Sequence, residues 1–402
     1  MLPYTKIRKI LEIDNFNGNA EEIAFVTHYF HNHLNGISQI YKPRASLYFN
    51  KIDSPFLDIH LNKIDKLLPI KWDIPFPPPV NPNFTFIDLF AGIGGFRIPL
   101  QKLGGKCVFS SEFNLNAQKT YEANFGEIPF GDITKLDLKI VPNHDILCAG
   151  FPCQPFSISG KMKGFEDARG TLIYQVLKII NLRKPKVVFL ENVKHLLYHD
   201  NGKTLASIEK DLRELGYIVK IKLLNAKDFG VAQNRERVII IANRKKEFNF
   251  DKVKKIKPKL IKEILDKDGV FEYLNEPYTI LKKTTTQESG LIFVGHRNKL
   301  IRKAGVRPGT EHLSRVHKQP NRIYSSEGVH PALPSQEVSG RFWIYHENKV
   351  RKLTINECYK LMGFPAKFKS VSNRGDLYKQ IGNSVCIPMI KQVAIQIKEQ
   401  LL

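Results

Sequence analysis

The residue best suited to chemistry is Cys153, which lies between two prolines in the segment 149–157. The apolar run 144–148 comes directly before it and indicates the end of a strand. A cysteine at the carboxyl end of a sheet strand is a candidate nucleophile, because ligands bind at that edge of an open α/β sheet and a thiolate there is exposed yet rigidly held. The alternative is a buried structural thiol, since free cysteines mostly behave as small apolar side chains.

A carboxylate and two arginines follow other apolar runs. Glu191 ends the run 187–190, and Arg235 and Arg237 come just before the run 238–241. Two residues apart on a strand, the arginines are expected to point to the same side. A carboxyl group near a thiolate can supply a proton, and arginines can hold anionic groups. The alternatives are a solvated strand end for Glu191 and a solvated pair of basic residues before a strand.

A glycine-rich turn, 91–96, follows the first of these strands. Glycines at such a turn let the backbone approach a ligand and open a helix whose N-terminus favours anionic groups. Glu112 ends the next strand, 20 residues after Gly92, which is the usual offset of an acid that binds ribose hydroxyls. Asp132 is placed to meet an adenine amine. Together they predict an adenosine-containing cofactor, although exposed acids at strand ends are common.

The order of the apolar and helical patterns predicts an α/β fold. Strands are expected over Thr85–Phe90, Lys106–Ser111, Asp145–Ala149, Lys186–Glu191, Val219–Leu224 and Arg237–Ala242. Their alternation with helical patterns indicates a doubly wound, mainly parallel sheet. Further helices are expected over Glu21–Leu34, Asp58–Leu68, Thr354–Met362 and Pro388–Leu402.

Changes in composition divide the chain into four segments. The proline-rich stretch 75–82 predicts a stiff linker and a domain boundary. After residue 244 the alternation stops, and the chain becomes rich in Lys, then in Gly, Pro, His and Arg. We therefore predict an N-terminal extension (1–83), a catalytic and cofactor-binding domain (84–244), a separate, smaller domain (245–350) and a closing segment whose last helix returns to the catalytic domain (351–402).

The charge balance points to a polyanionic partner. The 402 residues include 62 Lys and Arg against 39 Asp and Glu, a net charge of +23. So basic a surface favours nucleic acid, although a general lysine bias is the alternative. No apolar stretch is long enough for a membrane span, and no signal-type segment is evident, so we expect a soluble intracellular protein. The five cysteines are scattered and imply neither disulfides nor a zinc site.

Five motifs, in this order, resemble those of the DNA (cytosine-5)-methyltransferases of prokaryotic type II restriction-modification systems. They are Phe90-Ala91-Gly92-Ile93-Gly94-Gly95, Pro152-Cys153-Gln154-Pro155-Phe156-Ser157, Glu191-Asn192-Val193, Gln233-Asn234-Arg235-Glu236-Arg237 and Gly382-Asn383-Ser384-Val385. The resemblance spans residues 84–402, apart from the region near 245–350. That region varies between family members, and the resemblance implies that it is a target-recognition domain. The resemblance also implies the Rossmann-like fold of S-adenosylmethionine-dependent methyltransferases, with S-adenosyl-L-methionine as cofactor.

The resemblance also assigns roles to the residues. Cys153 attacks carbon 6 of cytosine, which activates carbon 5 for the methyl group, and Glu191 supports this at ring nitrogen 3. Arg235 is expected to contact the cytosine, to position Cys153 and to lower the pKa of its thiol. The catalytic set is Cys153, Glu191, Asn192 (orienting the Glu191 carboxylate), Arg235, Arg237 (supporting the site and the DNA backbone) and Gln233. The cofactor-binding set is Phe90, Gly92, Ile93, Gly94, Gly95, Glu112, Asp132, Ile133, Pro152, Leu172, Asn383 and Ser384.

Double-stranded DNA is the expected partner, bound by residues from two regions. The polar, glycine-rich segment 157–170 suits a loop that folds over a flipped base, and the alternative is an ordinary surface loop. Arginines of 245–350 could read guanine edges or hold phosphates, and 321–334 is the candidate recognition core. The DNA-binding set is Gln154, Ser157, Ser159, Lys161, Arg169, Arg322 and Arg341.

The expected function is sequence-specific methylation of DNA cytosine at carbon 5 after base flipping, protecting host DNA from a cognate restriction endonuclease. We expect a monomer on DNA, in the bacterial cytoplasm and associated with the nucleoid. Two alternatives remain. One is a transfer-RNA cytosine-5 methyltransferase, although its typical Cys-Phe-Thr signature is absent here. The other is a dual-role methyltransferase whose N-terminal region also represses transcription, although no helix-turn-helix pattern is evident there.

Overall fold

The structure is a computed structural model that describes residues 1–13, 20–33, 36–52, 63–152, 172–298, 321–335 and 342–402. The predicted nucleophile Cys153 and most of the predicted DNA-binding residues lie outside these ranges. Within the described residues, no helix is long and apolar enough to cross a membrane.

The described strands are numbered in chain order. They are β1 (Leu2–Pro3), β2 (Ile70–Lys71), β3 (Phe84–Leu89), β4 (Gly105–Ser111), β5 (Ile146–Gly150), β6 (Val187–Val193), β7 (Ile218–Asn225), β8 (Gln233–Asn234), β9 (Glu236–Asn243), β10 (Tyr278–Ile280), β11 (Phe293–Arg297), β12 (Arg322–Ser325), β13 (His330–Pro331), β14 (Trp343–His346) and β15 (Lys349–Lys352). The six predicted strands agree with β3, β4, β5, β6, β7 and β9 to within one or two residues.

The described α-helices alternate with these strands. They are α1 (Tyr4–Ile10), α2 (Ala20–Asn32), α3 (Ser38–Phe49), α4 (Arg97–Lys102), α5 (Leu115–Phe125), α6 (Leu172–Arg183), α7 (Lys203–Glu214), α8 (Ile355–Met362), α9 (Arg374–Asn383) and α10 (Ile387–Leu401). Three of the four predicted helices match α2, α8 and α10. The fourth, Asp58–Leu68, lies partly outside the described residues, and its described end is a short 3₁₀ turn at Ile64–Leu67.

A six-stranded sheet in the order β4-β3-β5-β6-β9-β7 forms the centre of the molecule. The pairs β3/β4, β3/β5 and β5/β6 are parallel, whereas β9 runs antiparallel to β6 and β7. This confirms the α/β, mainly parallel sheet. All seven residues of β4 are buried, as expected of a sheet covered on both faces. The carboxyl ends of β3, β4, β5 and β6 therefore meet at one edge.

The two faces of this sheet belong to different apolar clusters. On one face, Phe86 of β3 shares a cluster with Met389 and Val393 of α10, so the last helix returns to the catalytic sheet as predicted. On the other face, Ile87 and Leu89 share a cluster with residues of the N-terminal extension, including Phe25 and Phe30.

The N-terminal extension is therefore continuous with the catalytic core. Every residue of α2 from Ile23 to Asn32 is buried. The proline-rich linker also lies against the core, since the Phe76 amide donates to the Asn124 carbonyl at 3.0 Å and the Gln101 side chain donates to the Pro77 carbonyl at 3.1 Å. The boundary at residue 83 thus divides the sequence but not the hydrophobic core. This burial leaves α2 no free face for a DNA groove, which counts against the repressor alternative.

A second sheet, in the order β10-β11-β12-β14-β15, lies in the region predicted for target recognition. Its small apolar cluster includes Val294, Ile323 and Trp343. The segment after β12 leaves this sheet, and β13 pairs in parallel with β8 of the catalytic region. The recognition region is thus joined directly to the segment that carries the two arginines.

Buried histidines should make stability depend on pH. Burial lowers the pKa of His31 to about 3, so this ring is neutral in the folded protein near pH 5, and burial lowers the pKa of His28 as well. The unfolded chain protonates its histidines below a pH of about 6.5. It then binds more protons than the folded state, so stability falls as the pH falls through this window.

Replacing His31 with Gln should remove one of these sites. The free energy of unfolding of His31→Gln should then fall less steeply between about pH 6 and pH 5 than that of the wild type, by about 1 kcal/mol per pH unit. Urea titrations at several pH values measure this slope. An unchanged slope would show that His31 takes up its proton in the folded state as readily as in the unfolded chain.

Candidate active site

A cavity of about 690 Å³ opens at the carboxyl edge of β3, β4, β5 and β6. Its volume lies within the range of about 300–1,000 Å³ typical of small-molecule sites. Ligands bind at this edge of open α/β sheets because the loops that leave the strands converge there. The lining includes these predicted residues: Phe90, Gly92, Glu112, Asp132, Ile133, Pro152, Leu172, Glu191, Asn192, Arg235, Arg237 and Asn383.

The glycine turn and Glu112 are tied together at one end of the cavity. The Gly92 amide donates to Glu112 Oε2 at 2.9 Å, and the Asn114 amide donates to Glu112 Oε1 at 2.9 Å. Both Phe90 and Gly92 have a positive φ, at 54° and 53°, so the chain turns sharply out of β3. Burial raises the pKa of the Glu112 carboxyl, although these amides oppose the rise.

Two glycines of the turn are required by packing rather than by the cavity. A Cβ on Gly94 would lie 2.2 Å from the Phe125 ring, and one on Gly95 would lie 2.7 Å from Ser384 Oγ. Neither glycine lines the cavity, and neither do Ile93 and Ser384, which the sequence analysis also assigned to the cofactor. These four residues hold the turn against α5 and the closing segment.

Sequence reasoning missed several residues that line this half of the cavity, and Phe113 is the most distinctive of them. This residue is 73% exposed, which is unusual for a large apolar ring beside a buried carboxylate. Its position directly after Glu112 was a signal that the spacing argument did not use. An exposed ring and a buried acid side by side fit an adenosine group, since a base can stack on the ring while the acid accepts from ribose hydroxyls. The residues present thus fit S-adenosylmethionine.

Glu191 and Arg237 form the other half of the cavity. Arg237 Nε lies 2.9 Å from Glu191 Oε1, and both side chains are largely buried. Burial raises the pKa of Glu191, although Arg237 and Arg235 oppose the rise. A carboxyl group with a raised pKa is suited to hold or donate a proton near neutral pH.

Arg235 lines the cavity, and its guanidinium is also fixed by the backbone around it. Its guanidinium donates to three backbone carbonyls, those of Leu333 at 2.9 Å, Gly382 at 2.8 Å and Ser384 at 2.8 Å. Burial lowers the pKa of Arg235 to about 9, which leaves it protonated at neutral pH. It is therefore Arg237, and not Arg235, that meets the Glu191 carboxylate.

Asn192 and Gln233 both bind the backbone of other segments. The Asn192 amide donates to the Phe151 carbonyl at 3.0 Å, so it holds the segment that leads to Cys153. Gln233 is fully buried and does not line the cavity. Its amide nitrogen donates to the Leu361 carbonyl and its oxygen accepts from the Leu333 amide. Gln233 thus joins the catalytic and recognition regions.

The remaining predicted residues are described only in part. Pro152 lines the cavity, so the predicted nucleophile, Cys153, is the next residue in the chain after a cavity residue. Arg322 lies on β12 with its guanidinium 6.0 Å from the centre of the Phe293 ring. Outside the described residues lie Cys153, Gln154, Ser157, Ser159, Lys161, Arg169 and Arg341.

The sheet order, the glycine turn with its acidic partner and the cavity at the carboxyl edge define an α/β methyltransferase of the S-adenosylmethionine-dependent class. The amino-acid sequence narrows this class to one family. The model of the family described as C-5 cytosine-specific DNA methylase matches residues 84–399. The chain therefore belongs to the C-5 cytosine-specific DNA methylases.

Individual relatives agree with this assignment. Type II methyltransferase M.HhaI of Haemophilus parahaemolyticus is 41% identical over 330 residues, which cover 79% of this chain and 95% of that protein. Type II methyltransferase M.HpaII of Haemophilus parainfluenzae is 41% identical over 345 residues, covering 81% and 93%. The chain is thus an S-adenosylmethionine-dependent, sequence-specific DNA cytosine-5 methyltransferase, which decides against the transfer-RNA alternative.

The solved structures support the fold. The Dnmt2 methyltransferase of S. pombe superposes with a TM-score of 0.59 at 19% identity, covering 79% of this chain and 99% of that one. A putative DNA modification methyltransferase encoded within an E. coli prophage gives a TM-score of 0.58 at 20% identity, covering 79% and 99%.

The contacts of Arg235 predict a large loss of stability when it is removed. Arg235→Met should lower the free energy of unfolding by about 2–5 kcal/mol, because three buried carbonyls lose their donor. Arg237→Met, the matched change two residues away, should cost less, because Glu191 can take up a proton when its partner is lost. Urea unfolding of both variants measures the difference. Equal losses would contradict the separate roles of the two arginines.

Proposed function

We propose that the reaction runs through Cys153 and Glu191, with Arg237 as the partner of the carboxyl group. Carbon 5 of cytosine is a poor nucleophile. Addition of the Cys153 thiolate to carbon 6 forms a sulfur–carbon bond and makes the ring electron-rich at carbon 5. Glu191 holds a proton at ring nitrogen 3 as charge develops there. When bound, S-adenosylmethionine would supply the electrophilic methyl group. Loss of the carbon 5 proton to solvent and departure of the Cys153 thiolate from carbon 6 then restore the carbon 5–carbon 6 double bond and free the enzyme.

The observation that carries this proposal is the buried pair of Glu191 and Arg237 in the cavity that Pro152 also lines. Burial favours the protonated form of the Glu191 carboxyl group, while the positive charge of Arg237 stabilises the ionised form. The group can therefore both give and take a proton at nitrogen 3. Asn192 supports the same arrangement through its contact with Phe151, two residues before Cys153.

The target base must leave the duplex to reach this cavity. A stacked cytosine hides carbon 6, and unpairing it costs a few kcal/mol. We propose that the segment 157–170 closes over the flipped base and that Gln154, Ser157, Ser159, Lys161 and Arg169 contact the DNA. The net charge of +23 supports a DNA-binding surface of this kind.

We propose that residues 84–244 perform the chemistry and that residues 245–350, including Arg322 and Arg341, choose the DNA sequence. The separate five-stranded sheet of the latter supports this division. All the proposed roles fall within one chain, so a monomer on DNA suffices. We propose that the protein acts in the bacterial cytoplasm, on the DNA of the nucleoid.

Methyl transfer is tested by incubating the purified protein with labelled S-adenosylmethionine and plasmid DNA, followed by bisulfite sequencing. The expected result is 5-methylcytosine confined to one short recurring site. Cys153→Ala should bind the same DNA with no measurable transfer. Transfer by Cys153→Ala at the wild-type rate would contradict the covalent mechanism.

The pH dependence of the reaction tests the role of Glu191. Because its protonated form is required, the rate should fall as the pH rises through the raised pKa of this group. Glu191→Gln should lower kcat by about 10²–10³-fold, since the amide cannot transfer a proton, and should lose this alkaline limb.

Glu236→Gln is the matched control for Glu191→Gln. Glu236 pairs with Lys194, which directly follows the neighbouring strand β6, and Glu236 does not line the cavity. Its pH profile should follow that of the wild type. An alkaline limb that survives in Glu191→Gln would assign the titration to another group.

We further propose that the methylation protects host DNA from a restriction endonuclease with the same target. The relatives named as type II methyltransferases support this setting. Plasmid DNA from cells that produce the protein should resist endonucleases that cut at the methylated site, and plasmid from Cys153→Ala cells should remain sensitive. Complete cleavage of the methylated plasmid by every such endonuclease would contradict a protective role.

A further inference from the structure

The N-terminal extension covers an open edge of the catalytic sheet. Strand β4 is the outer strand of the six-stranded sheet, where it pairs with β3, and on its free side only an isolated bridge between Ser111 and Phe130 is formed among the described residues. On its free side, the Tyr41 hydroxyl donates to the Val108 carbonyl at 2.8 Å, and the Ser110 amide donates to His28 Nε2 at 3.2 Å. The Asn32 amide also reaches Val108, at 3.4 Å. Side chains of α2 and α3 thus replace the hydrogen bonds of a neighbouring strand.

A buried carboxylate connects this edge to the first helix after the glycine turn. Glu127 Oε1 accepts from Arg97 Nη1 at 2.7 Å and from Ser110 Oγ at 2.7 Å. His28 Nε2 lies 3.5 Å from the same oxygen, and His31 Nδ1 lies 3.6 Å from the other. Although burial opposes the charged form, Arg97 holds the pKa of Glu127 at about 2. The extension therefore contacts a fixed ion pair.

The network holds the end of β4 through Ser110 and the start of α4 through Arg97. Both of these lead directly into the cofactor half of the cavity. Ser110 lies two residues before Glu112, and Phe130 bridges the two, since its amide donates to the Ser110 carbonyl at 2.9 Å and its carbonyl accepts from the Glu112 amide at 2.8 Å. Arg97 begins α4 directly after the glycine turn, whose Gly92 amide binds Glu112. Among the described residues of the extension, none lines the cavity. Any influence on the cofactor must therefore pass through the core residues that the extension contacts, which include residues of β4 and α4 as well as Phe130.

We propose that His28 of the extension is a positioning residue of the methyl-donor site. His28 Nδ1 donates to the Ala24 carbonyl, so Nε2 is free to accept from the Ser110 amide. This bond fixes the end of β4, so that Glu112 faces the cavity in one position. Residues 1–83 lie outside the matched family region, so this support is a feature of this chain and not of the family model. The inference rests on the proposed cofactor role of Glu112.

The test measures binding of S-adenosylmethionine to the full-length protein without DNA. His28→Leu should raise the Kd about fivefold to tenfold, the effect of one lost hydrogen bond. His28→Gln, which can accept from the Ser110 amide, should restore the Kd to within about twofold of the wild type. The KM for S-adenosylmethionine should follow the Kd, with kcat unchanged.

Tyr41→Phe is the matched control, because it removes a hydrogen bond from the same edge at Val108, farther from Glu112. Both His28→Leu and Tyr41→Phe should lower the Tm, and only His28→Leu should raise the Kd. If His28→Leu lowers the Tm and leaves the Kd unchanged, the extension only stabilises the fold and the inference is wrong. An equal rise in Kd for Tyr41→Phe would overturn it as well.

Two further variants keep the test decisive. His28→Asn, whose amide can still donate to the Ala24 carbonyl but offers no acceptor at the position of Nε2, replaces His28→Leu if that variant does not fold, and it should also raise the Kd. In a Glu112→Ala background, the effect of His28→Leu should disappear if it acts through Glu112. The binding assay does not depend on Cys153, so failure of the covalent mechanism would leave this comparison intact.

Discussion

The assembly of the active site depends on the hydrogen bonds that the Arg235 guanidinium donates to the backbone. Three carbonyls converge on it, one from the recognition region and two from the closing segment. These acceptors lie 98 to 149 residues away in sequence, so one side chain fixes three distant parts of the chain. Gln233 reinforces the same junction through Leu333 and Leu361. A buried cation is costly unless it is fully hydrogen-bonded, which makes this arrangement strongly selective for the native geometry.

The two halves of the cavity use burial in a similar way. Glu112 and Glu191 are both acids at strand ends, and burial raises the pKa of each. What differs is the partner. Backbone amides hold Glu112, which suits a fixed acceptor, whereas the movable side chain of Arg237 holds Glu191, which suits a group that exchanges a proton. The same edge of one sheet thus supports both binding and chemistry.

The sequence predicts the strands and the motif positions well because both are local. Apolar runs mark β3 to β6 to within two residues, and the strand ends bring Glu112 and Glu191 to one cavity. The roles of the two arginines could not be predicted from spacing. Arg235 lies between β8 and β9 and belongs to neither strand, so the alternation of side chains does not apply to it.

Long-range contacts explain the other differences. The Phe151 carbonyl that Asn192 binds is 41 residues away, and no local pattern records such a contact. The proline-rich stretch indicated a boundary because composition reports chain stiffness and not what the chain lies against. His28 meets Ser110 across 82 residues, which only the folded structure reveals.

The contacts of α2 have a consequence for how the protein is made. The partners of its buried face, Ser110, Glu127 and Phe130, follow it by about a hundred residues, and at roughly 5–20 residues per second a ribosome needs several seconds to add them. The opposite face of the sheet is covered even later, because α10, which packs on it, is translated after all the strands. Until the partners of α2 are added, its apolar face has nothing to pack against in the nascent chain. Chaperones that bind such segments are therefore expected to act before the methyltransferase is complete.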